Sequence, residues 1–236
     1  SIHRAAVELD ITIVGGHTGY YPSVVTPFIG GIAVFATADK ESYVTPAGAK
    51  PGDDVILTKG PAIEAAAILS VLYEDALLQK YPAPLVKRAQ ALCNQMTVVK
   101  DALTAMKSGG VTSMHDATEG GVIGGLFEVA NASNVGMEVD ESLFIYPEEV
   151  EMVCEALRID PVAAISEGSL LITVQPSCTD KVIKSLKETG INASVIGKVT
   201  DDPQRRVMKR RNGNVVPLAI PRQDPFWPAF FEGLAI

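Results

Sequence analysis

Met114-His115-Asp116-Ala117-Thr118-Glu119-Gly120-Gly121-Val122-Ile123-Gly124-Gly125 is the stretch on which the reading of this chain turns. Asp116 followed three residues later by Glu119 reads as a capping box, and Leu126, Phe127 and Val129 carry a helix onward. Yet four glycines fall within six positions. Each glycine inside a helix costs about 1 kcal/mol against alanine, so four oppose this one by up to about 4 kcal/mol. A helix start this weak is kept where something approaches the backbone closely. That neighbour is either a ligand or another element of the fold, with Asp116 then a plain cap. Locally, both readings stay open.

The residues around the motif add a second signal. Glu128-Val129-Ala130-Asn131-Ala132-Ser133-Asn134-Val135-Gly136, Pro147-Glu148-Glu149-Val150 and Leu157-Arg158-Ile159-Asp160-Pro161 follow it in order. Ser166-Glu167-Gly168-Ser169-Leu170 and Ile196-Gly197-Lys198-Val199 complete the series. With these landmarks, residues 114–202 resemble the C-terminal domain of the aminoimidazole ribonucleotide synthetase (PurM-like) superfamily. The likeness is strongest to the hydrogenase-maturation carbamoyl dehydratase, whose motif runs Arg-Asp-Pro-Thr-Arg-Gly-Gly; selenophosphate synthetase and thiamine-monophosphate kinase are other members. A weaker likeness reaches back to Gly52-Asp53-Asp54-Val55-Ile56 and to Gly15-Gly16-His17-Thr18.

Composition narrows the class independently. The chain has 236 residues, 47% of them hydrophobic and 20% charged, which suits one large globular domain or a domain and a half. A net charge of −8 argues against a nucleic-acid surface. No apolar run reaches the roughly 18 residues of a membrane span, and the opening is not a secretory signal. Cys93, Cys154 and Cys178 are dispersed without metal-type spacing, which reads as reduced core thiols in a cytoplasmic protein.

The mixed order of helices and strands predicts α+β architecture. The resemblance implies a PurM-like C-terminal domain at 46–236, its mixed sheet packed with helices, preceded at 1–45 by a remnant of the N-terminal ATP-binding and dimerisation domain. In the remnant, a helix over Ser1–Asp10 leads to strands Ile11–Val14 and Ile29–Thr37. The linker is Lys40–Gly52. Beyond it come strand Asp54–Thr58, one long helix over Ala62–Lys80 and another over Pro84–Ser108. Strand Val111–Met114 enters the glycine motif. Strand Met137–Val139, helix Glu148–Leu157, strand Ser169–Val174, helix Thr179–Thr189 and strand Ala193–Val199 follow. Arg206–Val216 reads as a hairpin about Asn212-Gly213. Its basic residues, Arg205, Arg206, Lys209, Arg210 and Arg211, read as a solvated, aggregation-resistant edge. The aromatic ending Asp224–Phe231 either folds back or docks on a neighbour.

The resemblance implies ATP and Mg²⁺ in the complete protein, a homodimer, and activation of an amide-type oxygen or another nucleophile by phosphorylation. The family's Asp-rich metal site and glycine-rich phosphate tail are missing, so Ser1 reads as an internal start and this chain alone as inactive. Asp116 and Thr118 match the motif's aspartate and threonine, and Glu167 matches the family's Asn-Glu-Gly glutamate; these three are the candidate catalytic residues. His17, Thr18, Gly120 and Gly121 are the candidate cofactor-binding residues. His115 replaces an arginine and flanks the pocket. Glu119 also stands where the hydrogenase-maturation enzyme has arginine. Two carboxylates at a helix start repel phosphate but suit an oxygen-liganded ion, so Asp116 and Glu119 are the candidate metal pair for Mg²⁺ or Ca²⁺. The rival reading is a non-catalytic or divalent-metal-binding homologue that serves as an assembly module.

Overall fold

The computed structural model describes residues 2–16, 31–40 and 42–232. The chain divides into two units, Ser1–Glu41 and Ser42–Ile236. In the first, helix α1 (Ile2–Glu8) forms as its pattern predicts. The expected strands do not: residues 11–16 and 31–39 have no assigned secondary structure. A strand exists through its neighbour's hydrogen bonds, and among the described residues no ladder partner faces Ile11, Ile13, Ile32 or Val34, all exposed. His17 and Thr18 lie outside the described residues, as do the first two residues of the second expected strand.

The second unit runs β1 (Asp54–Thr58), α2 (Ile63–Leu72), α3 (Glu74–Leu78), α4 (Ala83–Ala91), α5 (Val99–Ser108), β2 (Val111–Asp116) and α6 (Gly121–Ala132). It continues with β3 (Gly136–Asp140), α7 (Glu148–Leu157), β4 (Leu170–Val174), α8 (Thr179–Glu188), β5 (Ala193–Thr200), β6 (Arg206–Lys209), β7 (Val215–Pro217) and α9 (Phe226–Glu232). The strands form one sheet in the order β2-β4-β1-β5-β3-β6-β7. Every neighbouring pair is antiparallel except β3 and β6. The α+β expectation holds.

Both faces of the central strands are covered. In β1, Val55 and Leu57 join Leu126 and Val129 of α6 on one face. Ile56, pointing the other way, joins Ala105 of α5 and Val182 and Leu186 of α8. A separate helical cluster gathers Leu69, Val86, Val153 and Phe226 from α2, α4, α7 and α9. The aromatic ending therefore folds back.

Two expected helices are each broken. The first ends at Tyr73, which leaves helical geometry at φ −111°, ψ 29° and donates its hydroxyl to the Ala229 carbonyl. The second is interrupted by a 3₁₀ turn at Leu92–Gln95. Here a distant lysine outcompetes the helix: Lys59 Nζ reaches the Thr97 carbonyl at 2.8 Å and the Gln95 carbonyl at 3.4 Å. The same ammonium pairs with buried Asp101 at 3.0 Å. Nothing around Gln95 or Thr97 in the sequence announces that partner.

The basic hairpin is paired rather than simply solvated. Arg205 binds Glu138, Lys209 binds Asp140 at 3.0 Å, and Arg211 binds Glu151 at 2.6 Å. Arg206 donates to the Val135 carbonyl and Asn131 Oδ1. Arg210 grips Asp160 through both terminal nitrogens, at 2.8 and 2.9 Å, and reaches buried Glu141 at 2.6 Å. The thiols also differ from expectation, since only Cys154 is buried, whereas Cys178 is partly covered and Cys93 exposed. Burial pushes the Cys154 thiol up to about 12, so it stays protonated and inert.

Candidate functional site

The expected capping box does not form. Asp116 is the last residue of β2, where it faces Leu170 of β4, and Ala117 N–H continues the contact to the Ser169 carbonyl. Sheet pairing thus holds Asp116 extended, and α6 begins five residues later. Its cap is Gly120, at φ 83°. The acidic group that serves it comes from the far end of the chain: Gly120 N–H donates to Asp224 Oδ2 at 2.8 Å. Gly121 N–H goes to the Thr118 carbonyl at 3.0 Å. Glu119, the other half of the expected box, accepts the Trp227 indole N–H at 3.0 Å.

The close approach predicted from the glycines is real, and its partner is the protein itself. A Cβ on Gly121, at φ 63°, would stand 2.6 Å from the Val162 oxygen and 2.7 Å from the Ala164 oxygen. Gly125 faces Leu171 of β4 and Ala117. Helix packing thus accounts for these two positions.

Glu167 sits at the entrance to β4, on a turn held from both sides. Ser166 and Ser169, both fully buried, bond each other at 2.7 Å, and Ser169 Oγ donates to the Gly60 carbonyl at 2.6 Å. Glu167 N–H donates to Glu64 Oε2 at 3.1 Å. Glu64 lies in the first turn of α2, behind a backbone with left-handed φ at Lys59, Gly60 and Ala62. His115 connects the other side, its Nε2 2.7 Å from Glu128 and its Nδ1 3.4 Å from Asp116.

The charges in this cluster are driven apart. The hydrogen bond from His115 holds Asp116 below the usual carboxylate range, and the same bond raises the imidazole, with Glu128 adding to it. Burial pushes Glu167 up, and the charge of Asp116 adds to the effect. Burial likewise raises Glu64, with Glu167 and Asp224 nearby. One carboxylate kept ionised beside others pushed toward neutrality is the electrostatic pattern of a proton-handling site. A cleft of about 530 Å³ lined by Lys59, Gln95, Lys100 and Asp101 shares no residue with this cluster.

Glu119 is turned to Trp227, and among the described residues no group of three His, Cys, Asp or Glu side chains is arranged around a common point. Of the candidate residues, Asp116, Thr118, Glu119, Gly120 and Gly121 lie along one turn, and electrostatics links Asp116 to Glu167. Sequence reasoning missed Glu64, Asp224 and the His115–Glu128 contact. Only Asp224-Pro225 carried a signal, an acidic cap before a first-turn proline, and Phe226 N–H does donate to Asp224 Oδ1 at 2.9 Å.

The raised carboxyls give a pH-dependent prediction. A group whose folded pKa lies above its unfolded value adds stability below the unfolded pKa and loses it as pH rises through the folded one. At pH 7.5, ionised Glu64 therefore penalises the fold. Glu64→Gln, which keeps an acceptor for Glu167 N–H, is expected to raise the melting temperature there by about 2 °C. The two proteins should converge near pH 4; a gain that persists equally at low pH would contradict this electrostatic account.

Residues 50–210 match the family described as AIR synthase related protein, C-terminal domain. The chain belongs to this family. Over 207 residues the AIR synthase-related chain is 30% identical to the selenide, water dikinase of Methanococcus maripaludis, covering 83% of this chain and 60% of that protein. It is 32% identical over 158 residues to the carbamoyl dehydratase HypE of Rhizobium leguminosarum bv. viciae, covering 65% of this chain and 42% of the other. A crystal structure of the hydrogenase maturation protein HypE in complex with ATP shares the fold, with a TM-score of 0.57 at 20% identity, covering 78% of this chain and 55% of that one. The AIR synthase-related chain thus spans about half the length of the proteins it matches. No helix among the described residues is long and apolar enough to cross a membrane.

Proposed function

We propose that this chain is the C-terminal portion of an ATP-dependent enzyme that activates an amide-type oxygen or another nucleophile by phosphorylation, with the substrate end of the site at Asp116, Thr118 and Glu167. The observation that carries this reading is the pairing of a depressed Asp116 with a raised Glu167 at the adjacent ends of β2 and β4. Glu167 holds or takes the proton of the attacking group. Ionised Asp116 accepts a hydrogen bond from that group and orients it, and Thr118 follows it on the turn into α6. ATP supplies the phosphoryl group when bound. Among the described residues, the cluster and the start of α6 do not themselves fit its phosphates, because the first is carboxylate-lined and the second internally bonded. The nucleotide and its Mg²⁺ are therefore assigned to an N-terminal half, and a homodimer formed through that half belongs to the same proposal.

Calorimetric titration of this chain with ATP is expected to show nothing tighter than millimolar. Micromolar affinity would overturn the assignment of the nucleotide to another part of the protein. In the longest natural reading frame containing these residues, Asp116→Asn and Glu167→Gln are expected to slow ADP release about 100-fold or more. Unchanged turnover in both variants would remove the catalytic reading. The assembly-module alternative drew its support from Glu119, and the bond from Trp227 gives that residue a structural role instead.

A further inference from the structure

We infer that Asp224 is a built-in anion at the start of α6, which closes the glycine turn to phosphate and makes the group that reaches Asp116 and Glu167 an uncharged or cationic nucleophile. The substrate class rests on the proposed function; the closure of the turn stands without it.

A helix leaves four N–H groups open at its start, and together with the helix dipole they attract anions. In α6, three are already engaged: Gly120 by Asp224, Gly121 by the Thr118 carbonyl, and Ile123 by the Val162 carbonyl at 3.1 Å. Asp224 is 5% exposed and accepts a second N–H, from Phe226. The segment that carries it is fixed at both sides. Pro221 lies over the turn, its Cδ 3.3 Å from a Cβ built on Gly120. Phe226, 2% exposed, is seated in the core of α2, α4 and α7. Trp227 adds the bond to Glu119.

Space and charge therefore act in the same direction. A phosphate would have to enter a turn on which Pro221 already packs, and it would meet the carboxylates of Asp224, Glu119 and Asp116. An amide, an amine or a hydroxyl suits those carboxylates, because each brings a hydrogen to donate.

Anion rescue tests this directly. In sodium phosphate or in chloride of equal ionic strength, the wild-type chain is expected to melt within about 1 °C of the same temperature, since a non-binding ion gives no linkage. Its Gly120 amide resonance is expected to stay in place. Asp224→Gly opens the hole and is expected to melt lower in chloride and to regain most of the loss in phosphate or formate. Saturable movement of the wild-type Gly120 resonance with phosphate would overturn the proposal. So would a folded Asp224→Gly chain that neither anion restores. Should that variant fail to fold, Asp224→Asn serves: an upfield shift of the Gly120 amide proton supports the charged contact, and an unmoved resonance refutes it. These readouts need neither ATP nor turnover, so they fail independently of the enzymatic reading.

Discussion

Gly121→Ala is expected to cost about 3–5 kcal/mol, combining left-handed strain with overpacking, and to lower the melting temperature by roughly 10 °C. The backbone at φ 63° already disfavours any side chain. The new methyl would also meet the Val162 and Ala164 oxygens at 2.6 and 2.7 Å, and backbone carbonyls cannot swing away as a side chain can. Gly124→Ala, three residues on, is the internal control. Its Cβ would have only ordinary contacts, the nearest being the Glu119 oxygen at 3.7 Å. Inside α6 it is expected to gain up to about 1 kcal/mol from helix propensity. Denaturant melts of the two variants measure the contrast. Equal losses at both sites would mean that the motif is held by something other than its backbone geometry.

Arg210→Met is expected to be comparably damaging, at about 3–5 kcal/mol, because it leaves a buried carboxylate unpaired. Glu141 has a side chain 5% exposed and receives Arg210 Nε, the Arg211 N–H and the Tyr146 hydroxyl. Removing the guanidinium takes away the ion pair described for Glu141, while the two neutral donors stay. Adding Glu141→Gln to Arg210→Met removes the carboxylate charge and keeps an acceptor for Tyr146. The double variant is expected to be more stable than Arg210→Met alone, a coupling that a double-mutant cycle reads directly. No recovery would show that Arg210 acts through its bidentate grip on Asp160 and not through Glu141.

The same contrast between local and distant causes marks what the sequence could show. Strand β1 and helix α7 fall where a short β-branched apolar run and a leading proline place them, because both signals are local. The capping box failed for the opposite reason. Asp116 and Glu119 have the right spacing, but the strand ladder to β4 claims the first and Trp227 claims the second. The carboxylate that serves the Gly120 cap, Asp224, lies 104 residues away in sequence. In the site, Asp116 and Glu167 were found through family landmarks. Glu64 carries no such mark; it enters only because Glu167 N–H points at it. Glycine clustering correctly announced a close approach, yet composition cannot say whether ligand or protein makes it.

The position of β1 has a consequence for how the molecule comes into being. Its two neighbours are β4, with Asp54 opposite Val174, and β5, with Asp54 opposite Lys198. During synthesis the middle of the sheet is made first and has nothing to pair with until residues beyond 170 emerge. At ordinary translation speeds that is a wait of roughly ten seconds, during which an apolar Val-Ile-Leu segment stands open. Pairings so far apart along the chain also slow refolding from denaturant. Nascent chains stalled before residue 170 should therefore engage holding chaperones through the Val55–Leu57 segment, and release them once β4 has cleared the ribosome.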